Sequence, residues 1–233
     1  MKKIIFILSF LFICSAAFAD VLDDWADFET SLRKGGISAA EAEHQAKKNV
    51  PKLAKFTEDK NISENKNWVF PVSGFSKTNV KNIKKLISAM SDNVRETKFL
   101  DGLEFLVQPY LRLEIKYSKE QIKERGKNVS ADDKNKKEEA DVLAANNAIV
   151  IYVKTGALNS AGGNAVWLYN PSQNFFIYYG ILRTVDVKAG DIVSAGDKIG
   201  TIRPVKKGYE LNFAVLMYGD DEFTLFNYFE EML

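Results

Sequence analysis

Ala148-Ile149-Val150-Ile151-Tyr152-Val153, Ala165-Val166-Trp167-Leu168-Tyr169, Phe175-Phe176-Ile177-Tyr178-Tyr179, Ile199-Gly200-Thr201-Ile202 and Glu210-Leu211-Asn212-Phe213-Ala214-Val215 decide how this chain folds. Each run is short, rich in β-branched and aromatic residues, and bounded by Gly, Asn, Pro or Ser, which is the pattern of strands joined by tight turns. The stretch from Ala140 to Val215 therefore predicts a compact, mostly antiparallel β domain, and the rest of the chain reads as attachment to it.

Inside that stretch, Gly190-Asp191 and Gly196-Asp197 repeat a Gly-Asp step at a six-residue spacing. Glycine permits the positive φ of a tight turn, and an Asp beside it accepts hydrogen bonds from the turn backbone. Each pair is expected to reverse the chain next to a short strand.

Taken in order, Phe70-Pro71-Val72-Ser73-Gly74, Gly163-Asn164-Ala165-Val166-Trp167-Leu168, Tyr178-Tyr179-Gly180-Ile181-Leu182, the Gly-Asp pair and Glu210-Leu211-Asn212-Phe213-Ala214-Val215 resemble the lysostaphin-type, LytM-like zinc metallopeptidases that cut peptidoglycan cross-links. The resemblance runs from Trp68 to about Phe229. It implies a mainly β fold, an antiparallel LytM-like domain of the duplicated hybrid motif type, here with an N-terminal helical appendage. Biotinyl and lipoyl carrier domains share the Gly-Asp turn, but no hairpin here carries a tip lysine with the flanks those carriers need.

The same resemblance marks where metal and catalytic groups belong, and there the residues differ. The family holds zinc with a His-x-x-x-Asp pair and the second His of a late His-x-His, and it uses two further catalytic histidines. On this chain the first pair falls on Tyr110 and Glu114, the catalytic His before Leu becomes Ile181, and the His-x-His becomes Glu210 and Asn212. The sole histidine of the 233 residues is His44, outside the β domain among polar neighbours. Catalytic zinc takes about three protein ligands, commonly His with a carboxylate or Cys. Glu114 and Glu210 are donors for a hard cation, whereas Asn and Tyr are poor zinc ligands. The expectation is a degenerate member with no catalytic residues and no metal, whose candidate groove is Tyr110, Glu114, Ile181, Glu210 and Asn212. Its function would be to bind cell wall or regulate a cell-wall hydrolase. The alternative is an active peptidoglycan endopeptidase with an atypical metal site, or acid–base work by the Glu114 and Glu210 carboxylates.

Lys2-Lys3, the apolar run Ile4 to Cys14 and Ala17-Phe18-Ala19 have the order of a signal peptide, residues 1–19, and predict an exported protein, periplasmic or secreted. Without them the chain has no cysteine, hence no disulfide framework, and 30 basic against 31 acidic residues. That balance gives no reason to invoke nucleic acid, and no stable membrane span is expected after cleavage. The partners that remain are peptidoglycan peptide or a cell-wall hydrolase.

Residues 20–66 are expected to hold the helices and a linker, and 67–233 the LytM-like domain. Val21, Leu22, Trp25, Phe28 and Leu32 share a helical face, and Gly35-Gly36 stops that helix. Ser38 and Glu41 form a capping box for a second helix, with Pro51 just beyond its end. Thr57 to Asn67 reads as linker, Asn79 to Arg95 as a further helix, and Leu103 to Tyr117 as strand. In that strand Tyr110, Arg112, Glu114 and Lys116 take one face and Leu111, Leu113 and Ile115 the other. Between Ser118 and Ala140, 13 of 23 residues are charged. So little apolar surface predicts a solvated, partly disordered insertion at 118–140.

Overall fold

A computed structural model describes residues 21–32, 37–88, 111–128, 138–156, 163–206 and 208–231. The expected signal peptide at 1–19, Tyr110 and the ends of several expected elements lie outside these residues. The chain divides into two compact units, Met1–Asn61 and Ile62–Leu233.

The first unit holds helix α1 (21–32) and helix α2 (Ala39–Thr57). Trp25, Phe28 and Leu32 are buried, as their spacing predicts. The Ser38 hydroxyl accepts the Glu41 N–H at 3.2 Å, which caps α2 as its sequence predicts. Pro51 corrects the expectation for where that helix ends: it lies inside α2. Proline removes one i to i−4 bond and crowds the turn before it. Here the buried stripe Ala42, Ala46, Val50, Leu53 and Phe56 runs through it, so packing on both sides of the proline outweighs the lost bond. His44 is exposed.

The second unit is the β domain. Its strands are β1 (Arg112–Ile115), β2 (Ala140–Leu143), β3 (Ala148–Lys154), β4 (Asn164–Asn170), β5 (Phe175–Leu182), β6 (Thr184–Val185), β7 (Ile192–Val193), β8 (Lys198–Ile202), β9 (Pro204–Val205), β10 (Gly208–Gly219) and β11 (Glu222–Leu225). One sheet runs β1-β10-β5-β4-β3-β7, with β9 and β11 also paired to β10; a smaller one runs β2-β8-β6. Every strand pair is antiparallel. The five runs quoted at the outset lie in β3, β4, β5, β8 and β10, and each observed strand is longer than its apolar run, β10 the most at 12 residues.

Trp167, Tyr169, Tyr179, Phe213 and Phe223 are fully buried between these strands. Side chains of this size each contribute roughly 1.5–3 kcal/mol by leaving water. The Tyr179 hydroxyl goes inside with a partner and accepts the Ala145 N–H at 2.7 Å, whereas the Trp167 indole N–H has no hydrogen-bond partner among the described residues. Burial pushes the Tyr179 hydroxyl well above the ordinary tyrosine range, against a smaller lowering by that bond.

The Gly-Asp steps are two copies of one device. Gly190 and Gly196 both have φ of 93°. The Asp191 carboxylate accepts the Lys188 N–H at 2.9 Å and the Asp197 carboxylate accepts the Ser194 N–H at 2.8 Å. The first turn clamps Val150, whose C=O accepts from Gly190 and whose N–H donates to Asp191 O. The second clamps Ala144 in the same way through Gly196 and Asp197. A repeated turn thus pins one point on β3 and one in the β2–β3 connection.

Three expectations are corrected here. The polar Thr57 to Asn67 stretch is not a free linker: Ile62 is buried, the Asn65 N–H donates to Asn146 Oδ1 at 2.7 Å, and the Ser63 C=O accepts from Asn147 Nδ2. Buried asparagines on the domain side satisfy its backbone, and composition alone hides that. The charged 118–140 insertion is not solvated throughout. Its first part is helix α4 (Lys119–Asn128), Glu138 and Glu139 make hydrogen bonds to the domain, and Ala140 opens β2. Ser118 and Gln121 cap α4 reciprocally at 3.2 and 2.8 Å, and Gln121 Nε2 donates to the Gly74 C=O. Finally, the helix expected from Asn79 is a 3₁₀ turn (Lys77–Asn79) and then a short helix α3 (83–88), with residues beyond 88 outside the described set. Between them Val80 is extended and forms an antiparallel bridge with Ile115 of β1. Lys81 N–H donates to Glu114 O, and Lys116 N–H donates to Asn79 O. Those bonds cover the outer edge of β1, which would otherwise be open to pairing. The chain closes with a helical turn α5 (Tyr228–Glu231) whose Tyr228 and Phe229 are buried.

Candidate functional site

Glu114, Glu210 and Asn212 of the expected groove lie on one face of β1 and β10. The register sets Arg112 opposite Asn212 and Glu114 opposite Glu210. Leu111, Leu113, Leu211 and Phe213 alternate with them and are buried, so the four polar residues share the outward face. Period-two reading predicts this arrangement for all of them. Ala214, next along β10 on that face, is fully buried opposite Tyr178.

Two carboxylates facing one another across a strand pair repel. Here each has a cation. Lys81 Nζ lies 3.5 Å from Glu114 Oε2, and Arg112 Nη1 lies 3.5 Å from Glu210 Oε2. The Arg112 and Glu210 side chains are 57% and 36% exposed, so the pair adds little stability. Its effect is electrostatic: positive charge already stands beside Glu210.

Ile181 enters the site through a distortion of β5. Asn164 pairs with Leu182 and Val166 with Tyr179, so Gly180 and Ile181 together oppose Ala165. This is a β-bulge, a device that re-aims a side chain. Ile181 has φ of 58°. A β-branched residue in the left-handed region is an outlier, because its Cβ crowds the following carbonyl. The bulge is held from both sides. A Cβ on Gly163 would lie 2.9 Å from Ile181 Cα, and one on Gly180 would lie 2.7 Å from the Tyr178 ring. Backbone and ring thus occupy the space that those two glycines leave.

The bulge opens a cavity of about 170 Å³ lined by Ile181, Leu182, Asn164, Arg183, Arg203 and Glu210. A second depression of about 250 Å³, lined by Glu114, Lys116, Lys206 and Tyr209, shares Val205 and Glu210 with the first. Glu210 stands where they meet. Of the five residues expected to form the groove, Ile181 and Glu210 line the first cavity and Glu114 and Glu210 the second. Asn212 is on the same face but lines neither, and Tyr110 lies outside the described residues. Arg183, Arg203 and Val205 were not foreseen. Simple alternation from Tyr179 gives no hint of Arg183, because the bulge shifts the phase of β5 between Tyr179 and Leu182.

Arg183 is fixed by its surroundings. Its Nε donates to Glu139 Oε1 at 3.3 Å, while Glu139 Oε2 accepts the Thr201 hydroxyl at 2.7 Å. Asn164 Nδ2 donates to the Arg183 C=O at 2.9 Å, and Asn164 Oδ1 accepts the Gly156 N–H at 3.0 Å.

Residues 127–222 match the model of peptidase family M23. No curated protein matches the chain. Among solved structures, it is similar to a lytM protein of Ruminococcus gnavus assigned as a glycyl-glycine endopeptidase, at 19% identity over 40% of this chain and 39% of that one, TM-score 0.31. A zinc-containing peptidase from Vibrio cholerae is 24% identical over 37% of this chain and 26% of that one, TM-score 0.30. The catalytic domain of lysostaphin from Staphylococcus simulans is 23% identical over 37% of this chain and 73% of that one, TM-score 0.27. The chain thus spans well under half the length of the first two.

A zinc ion does not fit the site as the described residues build it. Among them, no three His, Cys, Asp or Glu side chains stand close enough to hold a metal. Ile181 offers no donor, Asn212 a neutral amide, and Glu114 and Glu210 are each paired with a basic side chain. Among the described residues, no helix is long and apolar enough to cross a membrane.

Proposed function

We infer that this M23-type domain is an exported, non-catalytic binding module that holds an extended peptide in its former active-site groove. The peptide belongs to the cell wall or to a partner hydrolase. The observation that carries the reading is the bulge at Gly180–Ile181. It sets an apolar side chain, in a strained conformation, beside a carboxylate already paired with Arg112. Backbone strain at a site is kept where the surroundings enforce it, and here it shapes a cavity rather than a metal centre. A cleft with an apolar wall and a few polar groups suits a peptide bound through backbone hydrogen bonds and one side-chain contact. The module binds no zinc and breaks no bond in this reading.

The opposition of Glu114 and Glu210 supports a second reading, an endopeptidase with an atypical metal site built on that carboxylate pair. It requires both carboxylates to leave Lys81 and Arg112.

The test is Ile181→Asp, assayed for retention on isolated cell wall and for co-purification with a partner. A charge in the apolar wall should abolish binding while the far-ultraviolet spectrum and the unfolding midpoint stay close to those of the parent. Binding equal to the parent's would remove the groove as the site.

A further inference from the structure

We propose that the arginine end of the groove recognises a carboxylate, the free C-terminus of a short peptide. This inference rests on the peptide-binding reading above and adds which end of the peptide the domain reads.

Three features point to it. Arg183 is immobilised through Nε by Glu139, itself held by Thr201, which leaves the two terminal nitrogens of the guanidinium as donors. Arg203 lines the same cavity and has no acidic partner among the described residues, although most other charged groups of this site are paired. The rest of the wall combines the apolar Ile181 and Leu182 with the acidic Glu210.

A planar guanidinium offers two parallel N–H groups that match the two oxygens of a carboxylate, and such charge-assisted pairs are about twice as strong as neutral ones. Preorganisation matters as much. The anchor on Glu139 removes rotamer freedom from Arg183 before the ligand arrives, so less entropy is lost on binding. A terminal carboxylate on Arg183 and Arg203 leaves the preceding side chain against Ile181 and places backbone N–H groups toward the Glu210 carboxylate. Arg112 keeps Glu210 from becoming an uncompensated charge that would repel the same ligand. A cavity of about 170 Å³ has room for the last one or two small residues of a chain and not for a folded partner.

The test compares two probes on the full chain by calorimetric titration: the peptide Ala-Glu-Lys-Ala-Ala with a free C-terminal carboxylate, and the same peptide as its C-terminal amide. The carboxylate form should bind about tenfold or more tightly, since a hydrogen-bonded charge pair is lost in the amide, and added salt should narrow the gap. Arg203→Ala should reduce the preference to about twofold by weakening the carboxylate form alone, and Arg203→Lys should restore part of it. Arg203 is exposed, so these variants are expected to fold, and an unfolding curve checks that. If acid and amide bind equally, and Ile181→Asp abolishes both, the groove reading stands and the carboxylate inference is overturned. If neither peptide binds, and Ile181→Asp leaves retention on cell wall unchanged, the groove reading falls and takes this inference with it.

Discussion

Replacing Ile181 by alanine and, separately, by glycine tests the strained bulge by the sign of a difference. At an ordinary position glycine is about 0.5–1 kcal/mol less stable than alanine, because the unfolded chain gains freedom. Ile181 has φ of 58°, where an L-residue costs roughly 1–2 kcal/mol and glycine almost nothing. Both variants lose the same half-buried side chain beyond Cβ, so that loss cancels in the comparison. The two backbone effects oppose one another, and the larger wins. Ile181→Gly should be more stable than Ile181→Ala by roughly 0.5–1 kcal/mol. In a protein of this size that is about 1–4 °C in the unfolding midpoint, within reach of duplicate thermal melts followed by circular dichroism. Both variants should bind cell wall more weakly than the parent, since each removes the apolar wall. An alanine variant more stable than the glycine one would refute the bulge, and with it the argument that the fold aims residue 181 into the cavity.

Gly163→Ala should destabilise the domain by about 2–4 kcal/mol, because the new Cβ meets the Ile181 backbone at 2.9 Å and must itself adopt φ of 58°; a melt within 2 °C of the parent would count against that contact. Arg112→Ala should change stability by less than about 1 kcal/mol, as expected for an exposed pair at 3.5 Å, and a larger loss in urea unfolding would show that the ion pair is structural. Burial pushes the hydroxyls of Tyr169, Tyr179 and Tyr228 upward, so the folded state holds those protons more tightly than the unfolded one. Their contribution is complete below the unfolded tyrosine range and is lost as pH rises past about 10. The unfolding midpoint should therefore fall progressively above that pH, and a flat profile through pH 11 would contradict the burial of these hydroxyls.

The β domain was largely legible because its strands announce themselves. Val150, Trp167, Ile177 and Phe213 each sit inside runs too apolar to be anything but buried, and the Gly-Asp turns between the strands have a local chemistry that requires no tertiary knowledge. Strands of two residues, such as Thr184–Val185 and Pro204–Val205, carry no periodicity to read. The charged helix from Lys119 shows what composition misses. Its Ser118–Gln121 cap is a local signal that was there to be read, but its attachment depends on Gln121 meeting Gly74 and Asn79, residues far away in sequence. The site divides along the same line. Glu114, Glu210 and Asn212 follow from alternation on flat strands. The bulge at Ile181 depends on Gly163 pressing from β4's leading edge, and it moves Arg183 to the cavity out of phase, so the arginine end had no signature in the linear pattern.

The central claim is the proposal that this β domain binds without cutting. The most direct measurement is chromatographic analysis of purified peptidoglycan after incubation with the protein and added zinc, alongside a parallel sample with a chelator. No cross-link cleavage products should appear in either sample. Products that form with zinc and vanish with the chelator would contradict the account.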